Sequence, residues 1–393
     1  MRIFYASGET PNESFKSQIW RNNLLLPLRD LGHEVIEFKY DLRLTLIHSD
    51  PTQPGNKAFI KKNRPIVTKE LLRQLKEANS KKPIDLFFSY FYDSCILPVA
   101  LEEIKSLGIK TVNWYCNGSY QLHLVSEISP FYDWCLVPEK FRIADYKAMG
   151  ANPIYSQEAA NPNIYKPFDL PYEYDVTFVG QAYGERPYYI KYLLDHGLDL
   201  KVWGQGWNKF NTDLPKNNSK YYVRKSLRIA RQFATPEGWQ KLFNKVKDKL
   251  KSSTFEKEAN VVIPSSIIGG VLSDIDMIMM YSRSKINLGF SSVGNTHKEA
   301  ERIVQVRLRD FEVPMSGGFY MVEYMEELEE FFDIGKEIVC YKNTKDLAEK
   351  IKYYLVNESE REEIRRAGHA RCLRDHSWQK RFEVAFEKMG LAG

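Results

Sequence analysis

Two trains of short apolar runs alternating with helical periodicity are separated by NPNIYKPFDLPYEYD, which places Pro162, Pro167 and Pro171 within ten residues. This punctuation constrains the fold more than any other feature. In the first train, Arg2–Ala6 reads as a strand followed by Gly8, and Ser14–Leu31 as a helix stopped by Gly32. Glu34–Tyr40, Asp85–Tyr90, Lys110–Tyr115 and Trp134–Val137 read as further strands. Leu71–Ala78 and Leu97–Leu107 read as helices between them. The second train places strands at Asp175–Val179, Leu200–Trp203, Lys285–Phe290, Phe319–Val322 and Glu337–Tyr341. Its helices are Tyr188–His196, Lys345–Val356 and Ser359–Leu373, the last with Ser359 and Glu362 spaced as a capping box. A final helix starts at Ser377 and puts Trp378, Phe382, Ala385, Phe386 and Met389 on one face.

Strands that alternate with helices predict parallel, doubly wound sheets, here two Rossmann-like α/β domains. The expected boundaries are 1–165 for the first domain and 166–376 for the second, with an insertion at 208–260. The helix at 377–393 is expected to return to the first domain. Such sheets bind ligands in the crevice at the carboxyl ends of their strands.

Composition narrows the function. With 393 residues, 43% of them apolar and 27% charged, the chain is neither disordered nor fibrous. Its 53 aromatic residues suit filled cores and a cleft that stacks planar or sugar rings. The formal charge of +5 is uneven, because residues 208–260 hold 13 Lys and Arg against 5 Asp and Glu. The remainder is net acidic, which argues against nucleic-acid coating. Five scattered cysteines without a CxxC exclude a disulfide framework and fit a reducing cytosol. Cys95, Cys116 and Cys135 lie in apolar stretches and read as buried thiols. The start, MRIFYASGETPNES, has too short an apolar stretch for a signal peptide, and no segment reaches membrane-span length.

Several loops carry candidate chemistry. Ala6-Ser7-Gly8 and Gly180-Gln181-Ala182-Tyr183-Gly184 come directly after the first strand of each train, where small residues let backbone approach a phosphate or sugar. Neither forms a full dinucleotide or P-loop motif. Asp274-Ile275-Asp276 is formally a metal-type DxD, but Ser273 ahead of it reads as a helix cap with Asp276 at the third helical position. No other cluster suggests a metal. NWYCNGSYQLH, from Asn113 to His123, should face the cleft. His123 there is a candidate base or sugar contact, or a structural histidine. Asn295, His297 and Lys298 are further polar candidates. Within the insertion, 235–251 reads as a basic amphipathic helix that either lies on an anionic membrane or packs as an ordinary surface helix.

The stretch RLRDFEVPMSGGFYMVEY, Arg307 to Tyr324, is the most specific. FEVPMSGG resembles the acidic-residue, helix and glycine block of GT-B glycosyltransferases, in the group that includes the CgeB-like spore-maturation proteins. The resemblance extends through YDVTFVGQAYGERPYYI, VWGQGW, GGVLSDIDMIMMYSRSKINLGF and the segments beyond Tyr324. It implies that Glu312 holds the nucleotide ribose, which suits a carboxylate accepting from a cis-diol. It also implies that Arg186 neutralises the donor diphosphate and that Gly317 and Gly318 turn the helix into the next strand. The backbone around Gly270 would read the base. Where relatives have a second cation this chain has Gln181, and Arg309 is a candidate replacement. Eight residues before Glu312, where many retaining relatives carry a glutamate, stands Val304. Asn117 replaces an aspartate found in related sequences.

The implied function is transfer of a sugar from a nucleoside-diphosphate sugar to a glycan, lipid-linked or protein acceptor. No metal or other cofactor is expected. The expected catalytic candidates are His123 and Asn117, with Gly8, Gly180, Gly270, Gly317, Gly318, Arg186, Arg309 and Glu312 around the donor. The expected location is cytoplasmic, including the inner membrane face, with retention of configuration favoured. A nucleotide-sugar epimerase or hydrolase, or a non-catalytic binding protein, are the alternatives the same fold allows.

Overall fold

A computed structural model describes residues 1–8, 17–211, 261–298 and 301–391. The basic stretch at 235–251, most of the insertion and Ser14–Lys16 therefore lie outside the described residues. Two all-parallel sheets carry the architecture. The first has six strands in the order β2-β1-β3-β4-β5-β6: β1 (Arg2–Ser7), β2 (Glu34–Glu37), β3 (Leu86–Tyr90), β4 (Lys110–Trp114), β5 (Trp134–Val137) and β6 (Pro153–Tyr155). Its helices are α1 (Leu26–Asp30), α2 (Arg43–Ile47), α3 (Asn56–Lys81), α4 (Val99–Ser106), α5 (Gly118–Gln121) and α6 (Ile143–Ala148).

The second sheet has the order β11-β10-β9-β7-β8: β7 (Tyr174–Val179), β8 (Leu200–Trp203), β9 (Ser284–Leu288), β10 (Tyr320–Glu323) and β11 (Val339–Tyr341). Around it stand α7 (Arg186–Asp195), α8 (Asp274–Arg283), α9 (Leu308–Met315), α10 (Thr344–Val356) and α11 (Glu358–Asp375). A last helix, α12 (Trp378–Lys388), packs on the first core, not the second. Its Trp378 meets Trp114 edge-on at 5.0 Å, and Phe382 meets Phe88 at 5.7 Å. The chain thus crosses between the sheets twice, and the crossings are tied by a parallel bridge from Ala160 to Ser377.

The two-sheet α/β fold expected from the alternation is present. The order of each sheet reverses beside its first strand: β1 lies between β2 and β3, and β7 between β8 and β9. At such switch points neighbouring loops diverge to opposite faces and open a crevice.

Some expectations need correction. Ser359 does not cap α11, because α10 ends only at Val356 and the helix restarts after Asn357, leaving Ser359 inside its first turn. Glu362 instead accepts from Tyr172 and Arg365. Arg21–Leu25 is a π-helical turn leading into α1, not one continuous α-helix. Ser273 does cap α8, accepting from the Asp276 N–H at 3.2 Å. All five cysteines are buried and free. Among the described residues no helix is long and apolar enough to cross a membrane, and no cluster of His, Cys, Asp and Glu could hold a metal ion.

Candidate donor site between the two sheets

The two switch points face one another across a cavity of about 550 Å³. From the first sheet come Gly8 after β1, Tyr90 and Tyr92 at and after the end of β3, and Cys116 and Asn117 after β4. From the second come Gly180 and Gln181 after β7, and Gly289 and Phe290 after β9. Glycine at 180 is enforced locally, since a Cβ there would lie 2.5 Å from the Phe178 ring. Its carbonyl accepts from the Trp207 indole at 2.8 Å, which fixes the turn.

The charged wall is built by α7 and α9. Arg186 opens α7 and is buried, with its guanidinium 3.9 Å from the Tyr183 ring centre and 5.2 Å from that of Phe178. One Nη1 donates to the Gln181 carbonyl at 3.0 Å, while Nε has no hydrogen-bond partner among the described residues. Burial pulls this guanidinium down to about 10, with Arg307 and Arg309 adding repulsion.

Arg307 stands at the entry to α9, where its own N–H donates to Asp310 at 2.9 Å. Its side chain reaches back to the Ser291 and Ser292 carbonyls at 3.3 and 2.6 Å, again leaving Nε without a partner among the described residues. Asp310 also accepts from Tyr320 at 2.7 Å, locking α9 to β10. Arg309 donates to the Val179 carbonyl and lies 3.9 Å from Glu312.

Glu312 is carried by α9, in which every residue except Arg309 is buried. A helix buried on nearly all sides should be apolar; of its two carboxylates Asp310 is satisfied by the Arg307 N–H and Tyr320, and Glu312 needs a reason. Its Oε1 is buried without a partner among the described residues. Burial raises the Glu312 carboxyl above the usual range, opposed by Arg309 and by the Tyr165 hydroxyl.

Of the residues singled out from the sequence, Gly8, Asn117, Gly180, Arg186, Arg309 and Glu312 all line this cavity. Asn117 donates to the Tyr90 hydroxyl at 3.3 Å. The structure does not bring the others there. His123 lies in a short helical turn, half exposed, 3.7 Å from Asp50. Gly270 accepts from the Gly204 N–H at 2.6 Å, behind the β7 turn. Gly317, at φ +71°, ends α9 against Pro167, and Gly318 packs on Asn287 and Val313. His297 is buried at a 3₁₀ turn away from the cavity. Sequence reasoning missed Arg307, Gly289 and Glu158, all of which line the cavity. Only Gly289 carried a readable signal, a glycine directly after a strand like Gly180.

Two parallel-sheet domains with a cleft between their switch points define the GT-B architecture. Sucrose-phosphate synthase from Thermosynechococcus elongatus has the same fold, at a TM-score of 0.54 and 11% identity over 100% of both chains. So does Anabaena HepE in complex with UDP, at 0.52 and 11% identity over 99% of this chain and 100% of that one. A glycosyltransferase from Rickettsia africae aligns at 0.53 and 12% identity over 98% and 97% of the two chains. The chain belongs to the glycosyl transferase-like family, whose sequence profile matches residues 190–387. No curated protein matches it by sequence.

Proposed function

We propose that the protein transfers a sugar from a nucleoside-diphosphate sugar to an acceptor hydroxyl. One observation carries this reading: a cavity between two switch points whose charged wall holds three arginines and a buried carboxylate oxygen with no partner among the described residues. Arginine forks suit the oxygens of a diphosphate. A carboxylate suits the vicinal hydroxyls of a ribose, which are two donors side by side. Anabaena HepE, whose complex with UDP has the same fold, supports a nucleotide in this cleft.

The mechanism rests on charge development. As the bond from the sugar to the diphosphate breaks, negative charge grows on the leaving phosphate. Fixed guanidinium groups of Arg186, Arg307 and Arg309 stabilise that charge without reorganising. The two interdomain crossings at 156–170 and 376–377 are where the sheets can hinge together and exclude water. The acceptor would enter from the first-sheet wall, and leaving-group stabilisation by arginine needs no divalent ion.

A thermal-shift screen with UDP, GDP, dTDP and CMP, alone and as sugar conjugates, tests the reading. At least one nucleotide should raise the melting temperature, with EDTA making no difference. No shift with any of them would sink the donor-site assignment.

A further inference from the structure

Glu158 is the one carboxyl at the cavity, among the described residues, to which the proposed donor site gives no task. It comes after β6 in the segment that crosses between the sheets, and its backbone is held from both sides. Its N–H donates to Gln157 Oε1 at 2.8 Å. Gln157 in turn donates to the Pro138 carbonyl at 3.1 Å and to Glu327 of the second domain at 3.2 Å. Two residues on, Ala160 pairs with Ser377. The backbone that carries this side chain is thereby held in place.

The residue is only 8% exposed, yet its carboxyl makes no hydrogen bond to any described residue. Glu139, Glu312 and Asp310 act on it as further acids, the Cys116 thiol is close, and Arg307 opposes them. Burial first, and then these acids, push the carboxyl up to about 8. With no partner among the described residues, the carboxyl opens onto the cavity, where it can bond to what enters. Another anion would add to the repulsion from three neighbouring acids, so the phosphates belong at the arginine wall. A carboxyl that retains its proton can both donate and accept, which matches neutral hydroxyl groups. Nearby, Trp20, Tyr90 and Tyr92 offer ring faces against which a sugar can pack.

We propose that Glu158 binds hydroxyl groups of the sugar unit of the nucleotide sugar, from the crossing between the two domains, and so sets which sugar is accepted. The proposal rests on the donor-site reading above. The test titrates wild type and Glu158→Met with UDP, GDP and dTDP and with their glucose, galactose, mannose and N-acetylglucosamine conjugates. Methionine keeps much of the volume and removes the donor and acceptor, and melting curves confirm folding. Affinity for the free nucleoside diphosphate should stay within about twofold, while the extra affinity gained from the best sugar drops about tenfold. Glu158→Gln, which still donates and accepts, should retain most of the gain. Because both ligands are read on the same variant, a merely structural role would move both together. An unchanged gain in Glu158→Met, or no gain from any sugar in wild type, would overturn the proposal while leaving nucleotide binding intact. Failure of every nucleoside diphosphate to bind wild type would instead remove the donor site, and the proposal with it.

Discussion

The two walls of the cavity come from the same kind of parallel sheet but differ in charge. The second-sheet wall presents Arg186, Arg307, Arg309 and Glu312. The first-sheet wall presents Trp20, Tyr90, Tyr92, Cys116 and Asn117, none of them charged at neutral pH. Both walls place a glycine after their first strand, so the difference does not lie in the turns. It lies in the elements beyond those turns. The helices α7 and α9 bring arginine to the cavity at or beside their first residues, whereas the first sheet brings no charged side chain; rings line both walls, Phe178, Tyr183, Phe290 and Tyr320 on the second. One wall is therefore suited to fixed anionic groups and the other to neutral ones. Glu158 sits where the two meet.

This division can be broken at several points. Arg186→Ala should have the largest effect, because a buried charge-assisted contact contributes about 2–3 kcal/mol. Nucleoside-diphosphate affinity by calorimetry should fall about a hundredfold, whereas the nucleoside alone should bind almost as before. Next comes Glu312→Gln, which should cost about tenfold and erase discrimination between a ribonucleotide and its 2′-deoxy form. Equal loss for both forms would show that Glu312 does not touch the ribose.

Glu158 tests the junction through pH. Its folded-state carboxyl is raised to about 8, far above the ordinary unfolded value near 4.5. Between those values the folded protein holds a proton that the unfolded chain has released. Stability from this group is therefore fully present at low pH and is lost as pH rises through that window, at about 1.4 kcal/mol per unit. Glu139, raised to about 7, acts in the same direction. The melting temperature of Glu158→Gln should exceed that of wild type at pH 8, with the gap closing by pH 5. The smallest expected effect is Trp20→Ala on the neutral wall. It should leave free nucleoside-diphosphate affinity within about twofold while lowering turnover with a sugar acceptor. A hundredfold loss of nucleotide affinity would erase the contrast between the walls.

Much of the fold was legible because local pattern and tertiary structure agree. Trp134–Val137 and Leu200–Trp203 form strands over the bounds their apolar runs suggest. Ser273 caps α8 because its hydroxyl accepts from the Asp276 N–H while donating to the Asp276 carboxylate at 2.6 Å, both within the first turn. β6 was not legible, being three residues long and beginning with Pro153 at the sheet edge, where pairing replaces pattern as the signal. The Ser359 capping box failed because the end of α10 sets where α11 begins. In the site, Arg186, Arg309 and Glu312 could be read from a resemblance. Arg307 and Glu158 could not, since only the fold brings them to the cavity. Glu158 lies in an irregular stretch, and only packing of loops far apart in sequence makes its carboxyl part of a cavity wall.

Everything proposed for the cavity depends on the charged wall holding a nucleoside diphosphate. Calorimetric titration of wild type, Arg186→Ala and Glu312→Gln with UDP, GDP and dTDP puts that to the proof. Wild type should show a single site for at least one of the three, weakened about a hundredfold and about tenfold in the respective variants. Binding of equal strength to all three proteins, or to none of them, would refute it.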